Sequence, residues 1–142
     1  MLSLEPMDIA GPLKWTLPPS KSHMIRWLVL TAQSSSSAAI RFSGEPGRDV
    51  SSMADSLELL GADIVRNDGE WIVSGIGKNG FKDPRQTLDC GNSGTTARFL
   101  MAIAAGMSCE VRIDGDESLR GLSLIHISEP TRLLSIADAV VG

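Results

Sequence analysis

Apolar residues recur along this chain with helical and strand spacing in turn, and the changes of spacing predict its elements. In the first helical pattern, the apolar residues that share one face are Ile25, Leu28, Val29 and Ala32. They predict a helix over residues 20–32 with Ser20 as its N-cap. A second helix is predicted over residues 48–60, with Gly61 placed to end it.

Strands are predicted between and after these helices. Residues 13–17 form a short extended entry that Pro18 and Pro19 end, and residues 38–42 form the next strand. Residues 62–65 and 71–73 flank Asn67-Asp68-Gly69, which is a strong hairpin signal. The alternation then begins again, with a strand at 88–90, a helix at 95–105 and a strand at 110–113. The chain therefore reads as β-α-β-α-β-β followed by a second β-α-β, and an α+β fold is expected.

Composition sets mild limits on function. A chain of 142 residues that is 42% hydrophobic forms one domain or part of one, and its net charge of −4 does not support nucleic-acid or membrane-surface binding. The N-terminal residues lack a signal-peptide pattern and no apolar run approaches membrane-spanning length, so a cytoplasmic location is the default. Cys90 and Cys109 lack metal-ligand spacing, and we expect both to be reduced packing residues.

The first segment with candidate chemistry is Leu-Pro-Pro-Ser-Lys-Ser-His-Met-Ile-Arg, residues 17–26. Lys21 falls in the first helical turn, and Ser22 and Arg26 are four residues apart and so share a face. A helix N-terminus favours acidic side chains by roughly 0.3–1 kcal/mol, so cations without a carboxylate there oppose local stability. An anionic ligand would reverse this sign. The alternative is a capped helix whose basic residues are only solvated.

The second segment is Asp-Cys-Gly-Asn-Ser-Gly-Thr-Thr-Ala-Arg-Phe-Leu, residues 89–100. Its glycines allow a ligand to approach the backbone near Asn92 and Gly94, Thr95 supplies a hydroxyl, and Arg98 lies one turn further on. The segment lacks the Gly-Lys-Ser/Thr ending of a nucleotide P-loop, which disfavours ATP. An ordinary strand-to-helix connection is the alternative, because Gly and Asn are common turn residues.

Three motifs together carry a family resemblance: Pro-Ser-Lys-Ser before Arg26, Gly-Asn-Ser-Gly-Thr-Thr before Arg98, and Asp-Gly-Asp-Glu-Ser-Leu-Arg at 114–120. In this order they resemble the N-terminal region of the EPSP synthase (3-phosphoshikimate 1-carboxyvinyltransferase) family, over about residues 7–121. The related UDP-N-acetylglucosamine enolpyruvyl transferases are the alternative family. The resemblance implies an enolpyruvyl transferase fold (inverted α/β barrel), here incomplete, built from β-α-β-α-β-β units with helices inside and sheets outside.

The resemblance also implies an activity in the shikimate pathway of aromatic amino-acid biosynthesis. The family transfers the enolpyruvyl group of phosphoenolpyruvate to shikimate 3-phosphate and releases phosphate, needs no cofactor or metal, and is typically monomeric. By motif position, Lys21 would be catalytic and touch both substrates, Ser22 and Arg26 would hold shikimate 3-phosphate, and Gly94 would meet phosphoenolpyruvate. The residues expected to shape the surrounding loop are Asn92, Thr95 and Arg98.

The resemblance stops after Arg120. The family pattern continues with any residue and then Arg-Pro-Met, whereas this chain has Leu122-Ser123-Leu124. Residues 122–132 resemble the translation of a transposase-type sequencing adapter, so we expect family sequence over residues 1–121 and a non-native tail over 122–142. A divergent native helix is the alternative for the tail. The chain by itself is expected to be inactive as a transferase, and a non-catalytic anion-binding module is the alternative function.

Overall fold

The structure, a computed structural model, describes residue 11 and residues 17–121 of the chain. The predicted entry strand, residues 13–17, lies outside the described residues except for Leu17, which is exposed and in no strand. The predicted non-native tail, residues 122–142, lies entirely outside them.

Four α-helices lie within the described part of the chain: α1 (Lys21–Ala32), α2 (Arg48–Leu59), α3 (Gly94–Ala104) and the single turn α4 (Glu117–Arg120). A short 3₁₀ helix, Gly77–Asn79, follows the three-stranded sheet. The predicted bounds of the first three α-helices are confirmed to within one residue. Gly61 ends α2 with a φ of +102°, and the amide of Ala62 donates to the Leu57 carbonyl 3.0 Å away. Ser20 occupies the N-cap position of α1, but its side chain makes no capping hydrogen bond.

Three strands form an antiparallel sheet in the order β1-β3-β2, with bounds Ser37–Arg41 (β1), Asp63–Asn67 (β2) and Glu70–Ser74 (β3). The predicted hairpin is confirmed, and its turn is Asp68-Gly69, with Gly69 at a φ of +70°. Val73 is fully buried and lies opposite Ile64 on the face that packs against α1 and α2. α1, α2 and α3 also contact one another, so the helices form a layer against one face of this sheet. The α+β class is confirmed.

A second, two-stranded parallel sheet pairs β4 (Leu88–Asp89) with β5 (Ile113–Asp114). The predicted strand at residues 110–113 is wrong except at Ile113. The position of β5 depends on β4, because the amides of Leu88 and Cys90 donate to the carbonyls of Arg112 and Asp114, each at 2.8 Å. Local β-propensity cannot reveal this constraint, which comes from a partner strand distant in the sequence.

The end of α1 meets the end of β3 in close backbone contact at Gly75. The amide of Ile76 donates to the last helical carbonyl, that of Ala32, at 2.9 Å. A Cβ atom at Gly75 would lie 2.3 Å from the carbonyl oxygens of both Thr31 and Ser34. Only glycine fits there, and the contact satisfies carbonyls that a helix C-terminus leaves without partners.

We expect Gly75→Ala to lower the free energy of unfolding by at least about 1–3 kcal/mol, because the new methyl group overlaps rigid backbone atoms. Urea denaturation followed by circular dichroism measures the change. Gly106→Ala is the matched control, since its Cβ would meet its nearest neighbour, the Ile103 carbonyl oxygen, at an ordinary 3.5 Å. Equal stability of the two variants would contradict the close contact at Gly75.

Candidate anion-binding site

The starts of α1, α2 and α3 meet at Asp49. The ammonium of Lys21, the first residue of α1, lies 2.8 Å from the Asp49 carboxylate. The hydroxyl of Thr96, in the first turn of α3, lies 3.3 Å from the backbone oxygen of Asp49. Asp49 itself is the second residue of α2. The first two predicted segments, which are far apart in the sequence, are therefore joined through the start of α2.

Two of these helix starts are available to an anion. The N-cap residues of α1 and α2, Ser20 and Gly47, make no side-chain capping hydrogen bond. The first N–H groups of a helix have no intrahelical acceptor, and the helix dipole adds partial positive charge at the same end. The first N–H groups of α1 and α2 therefore lack a side-chain acceptor from their own N-cap residues.

Asp49 changes the electrostatic argument made from the sequence. The first turn of α1 contains no acidic residue, as predicted, but α2 supplies the carboxylate that pairs with Lys21. The Asp49 side chain is 17% exposed and that of Lys21 58%, so the carboxylate is the more firmly enclosed partner. Sequence reasoning missed Asp49 because an acidic residue at a helix start is itself the expected arrangement.

Ser22 and Arg26 lie together on the exposed side of α1, as their spacing predicted. Nη1 of Arg26 donates to the backbone oxygen of Ser22 at 2.8 Å and to the Ser22 hydroxyl. The guanidinium also lies over the ring of Phe99 in α3, with Cζ 5.8 Å from the ring centroid. Arg26 takes part in none of the ion pairs found among residues 17–121, so its charge remains available to a ligand.

The second segment divides into residues that build the turn and residues that face outward. Ser93 caps α3 by accepting from the amide of Thr96 at 3.2 Å, and Thr96 is fully buried. Gly94 and Thr95 begin α3 half-buried, and Asn92 is exposed. The structure therefore gives the two neighbouring threonines different environments, with Thr96 inside the junction and Thr95 at its surface.

Arg98 lies one turn into α3 and is half-buried. Its Nε is buried and has no hydrogen-bond partner among the described residues. A buried donor without an acceptor costs about 1–3 kcal/mol, so this nitrogen favours an acceptor supplied from outside. Arg98 thus adds a second guanidinium with unused donors on α3, the helix that carries Phe99 against Arg26.

The third segment, residues 114–120, packs against the turn at Gly91. Gly91 has a φ of +54°, and its carbonyl accepts from the amide of Asp116 at 2.9 Å. A Cβ atom at Gly115 would lie 2.4 Å from the same carbonyl oxygen. Arg120 donates two hydrogen bonds to the Asp114 carboxylate. These bonds, together with one from the Gly115 amide, lower the pKa of Asp114 to about 2. The three motifs are thus contiguous in space.

Cys90 lies at the end of β4, immediately before this turn, and is a packing residue. It is fully buried and free, which agrees with the expectation from the sequence. Burial first, and then the negative charges of Asp89 and Asp114, raise the pKa of the Cys90 thiol to about 11. Cys109 is also free and is half-buried.

The described part of the chain contains neither a metal-binding cluster nor a membrane-spanning helix. Among these residues, no group of three or more His, Cys, Asp or Glu side chains is placed to hold a metal ion. None of the helices in the same part is both long and apolar enough to cross a membrane.

Comparison with known proteins gives one consistent result. The family model described as EPSP synthase (3-phosphoshikimate 1-carboxyvinyltransferase) matches residues 5–132. The 3-phosphoshikimate 1-carboxyvinyltransferase of Bradyrhizobium sp. (strain BTAi1 / ATCC BAA-1182) is 41% identical over 128 residues, which cover 88% of this chain and 28% of that protein. The protein of the same description from Sphingopyxis alaskensis is 38% identical over 122 residues, covering 84% of this chain and 27% of its own length.

A solved structure agrees with this match. The EPSP synthase from Acinetobacter baumannii superposes with a TM-score of 0.70 at 27% identity, over 78% of this chain and 25% of that chain. The predicted enolpyruvyl transferase fold, in incomplete form, is therefore confirmed. The chain spans about 28% of the length of the first curated relatives that it matches.

Thr96→Val should lower the free energy of unfolding by about 1–3 kcal/mol, because it removes a fully buried hydroxyl that lies 2.9 Å from Ser93 Oγ and 3.3 Å from the Asp49 oxygen. Thr95→Val makes the same chemical change at a half-buried position and should have a smaller effect. Chemical denaturation of both variants measures the difference. If Thr95→Val lowered the free energy of unfolding as much as Thr96→Val, the hydrogen bonds of Thr96 to Asp49 and Ser93 would not account for the loss.

The two cysteines should react at different rates with a thiol reagent at neutral pH. Cys109 should react readily, and Cys90 slowly, because a pKa of about 11 and full burial leave little reachable thiolate. The free energy of unfolding should also fall as the pH rises from about 9 toward about 11, because the Cys90 thiol ionises at lower pH in the unfolded chain than in the folded one. In the labelling experiment, Cys90→Ala and Cys109→Ala show which cysteine reacts fast and which reacts slowly. Fast labelling of Cys90 in the folded chain would contradict its buried position.

Proposed function

Since this chain belongs to the EPSP synthase family, we propose that its converging helix starts bind shikimate 3-phosphate and phosphoenolpyruvate for enolpyruvyl transfer. The observation that carries the proposal is the meeting of α1, α2 and α3 at Asp49, beside Lys21. Both substrates carry a phosphate and a carboxylate. Unpaired helix N–H groups and guanidinium donors are suited to such anions.

Each site residue has a role that its position supports. Arg26, which no carboxylate within residues 17–121 neutralises, would bind shikimate 3-phosphate together with Ser22. Gly94 opens α3, so that its amide faces out of the helix and would meet phosphoenolpyruvate. Arg98 offers the buried Nε that lacks an acceptor in the described structure. Asn92 and Thr95 would shape the loop around this substrate.

Lys21 is the proposed catalytic residue. Its ammonium lies 2.8 Å from the Asp49 carboxylate, and the Lys21 side chain is 58% exposed, which leaves it accessible to substrate. Negative charge shifts onto the phosphate as it leaves phosphoenolpyruvate, and a fixed cation stabilises that charge in the transition state. Asp49 would hold the ammonium in place and reduce its freedom before substrate arrives.

A second candidate, a non-catalytic anion-binding module, is favoured by the distribution of these groups. The helix starts, Ser22 and Arg26 lie in one packed unit of residues 17–121, which supports anion binding by this part of the chain. Transfer requires two anions positioned in a closed site, and this chain spans about 28% of its relatives' length. We therefore expect the 142 residues alone to bind substrate without turnover.

Other expectations stay predictions. The relatives named above favour shikimate 3-phosphate over the substrate of the UDP-N-acetylglucosamine enolpyruvyl transferases. The cytoplasmic location, the monomeric state, the absence of a cofactor and of a nucleic-acid partner, and the division of the chain after residue 121 are supported by sequence reasoning alone. Independent DNA sequence from the same locus tests that division: Arg-Pro-Met after residue 121 would support a non-native tail.

Arg26→Ala should weaken binding of shikimate 3-phosphate to the full chain by at least about tenfold, the loss expected for a hydrogen bond to a charged group. Isothermal titration calorimetry measures the affinity. Arg41→Ala is the control, because the Arg41 side chain is 81% exposed on β1 and its guanidinium is already paired with Glu70. Phosphate release with both substrates present separates a transferase from a binding module. Equal affinities of the two variants would refute the assignment of Arg26.

A further inference from the structure

The ring of Phe99 makes a contact that none of the motifs explains. Phe99 follows Arg98 in α3 and is half-buried, packed against the hydrophobic core. The guanidinium of Arg26, from α1, lies over its ring with Cζ 5.8 Å from the centroid. This distance is within the range of a cation–π interaction. A residue of the second segment thus touches the proposed substrate-binding guanidinium of the first.

Hydrogen bonds within α1 do not fix the orientation of the Arg26 guanidinium plane. Both contacts with Ser22, to its carbonyl oxygen at 2.8 Å and to its hydroxyl, are made by the single nitrogen Nη1. Donors at one nitrogen permit rotation of the guanidinium plane about that point. The ring face of Phe99, on α3, restricts this rotation. Among the described residues, the hydrogen bonds of the Arg26 guanidinium involve Nη1 alone.

Phe99 also connects α3 to α1 near the proposed site. It is four residues after Thr95, so the two share a face of α3, and Thr95 lies at the surface of the site. The core contacts of Phe99 limit the movement of its ring. Because the Phe99 ring packs against the core and also contacts the exposed Arg26 guanidinium, the position of this guanidinium depends on that of α3.

We propose that Phe99 is a positioning residue that holds the Arg26 guanidinium in the orientation that receives the anionic substrate. This inference rests on the proposed function, since it concerns the same site. Phe99 touches neither substrate; it acts through Arg26. Removing the ring while keeping an apolar side chain should therefore weaken substrate binding and leave the fold intact.

The test compares Phe99→Leu, Phe99→Tyr and Phe81→Leu in the full 142-residue chain. Phe81→Leu makes the same chemical change at another half-buried phenylalanine that packs against the same core. Calorimetry with shikimate 3-phosphate measures the dissociation constant, and thermal unfolding measures stability. The Nε–Hε resonance of Arg26, assigned with Arg26→Lys, reports the ring contact without any ligand.

Phe99→Leu should raise the dissociation constant about two- to fivefold, the range expected for an exposed cation–π contact. Phe99→Tyr keeps the ring face and should restore the affinity, and Phe81→Leu should leave it unchanged. The Arg26 resonance should move in Phe99→Leu alone. Equal losses of affinity in Phe99→Leu and Phe81→Leu, or no rescue by tyrosine, would overturn the proposal.

The ligand-free resonance separates this proposal from the proposed function. If the unsubstituted chain does not bind shikimate 3-phosphate, the proposed function fails for this chain. An Arg26 resonance that Phe99→Leu leaves unmoved would then overturn the positioning role by itself. A resonance that moves in Phe99→Leu and returns in Phe99→Tyr would support the role of Phe99 in orienting Arg26.

Discussion

The contacts of Asp49 are the constraint on which the site depends. Three helix starts carry positive dipole ends, and bringing them together is unfavourable without nearby negative charge. Asp49 supplies this charge from the first turn of α2, pairs with Lys21 and accepts from Thr96 through its backbone. The carboxylate neutralises Lys21 only in part, because more than half of the Lys21 side chain remains exposed. In the proposed function, a bound anion would complete the neutralisation of Lys21 that Asp49 begins.

Close backbone contacts hold the elements that carry these charges. Gly75 brings the end of β3 against the last carbonyls of α1, and Gly115 brings the start of α4 against Gly91 in the turn before α3. A Cβ atom at Gly75 or Gly115 would overlap a carbonyl oxygen. Such contacts leave little freedom for sliding one element along another, so the helix starts are positioned by the rigid frame around them.

Local charge, and not the charge of the whole chain, is the basis of the proposed preference for anions. The chain carries a net charge of −4, which by itself disfavours a negatively charged ligand. At the site, however, the donors are two guanidiniums outside all ion pairs of residues 17–121, those of Arg26 and Arg98, and the uncapped starts of α1 and α2. Short-range donors outweigh distant charges because solvent screens the latter within about 10 Å.

The sequence by itself determined the elements and the candidate chemistry, because both depend on neighbours along the chain. Helical spacing predicted α1, α2 and α3 to within a residue, and the motif order predicted the family that the comparisons confirm. Only the tertiary structure decided the position of β5, the partner of Lys21 and the contact of Arg26 with Phe99. Asp49 is 28 residues from Lys21 and 47 from Thr96, and no local periodicity or propensity encodes which distant surfaces meet when the core closes.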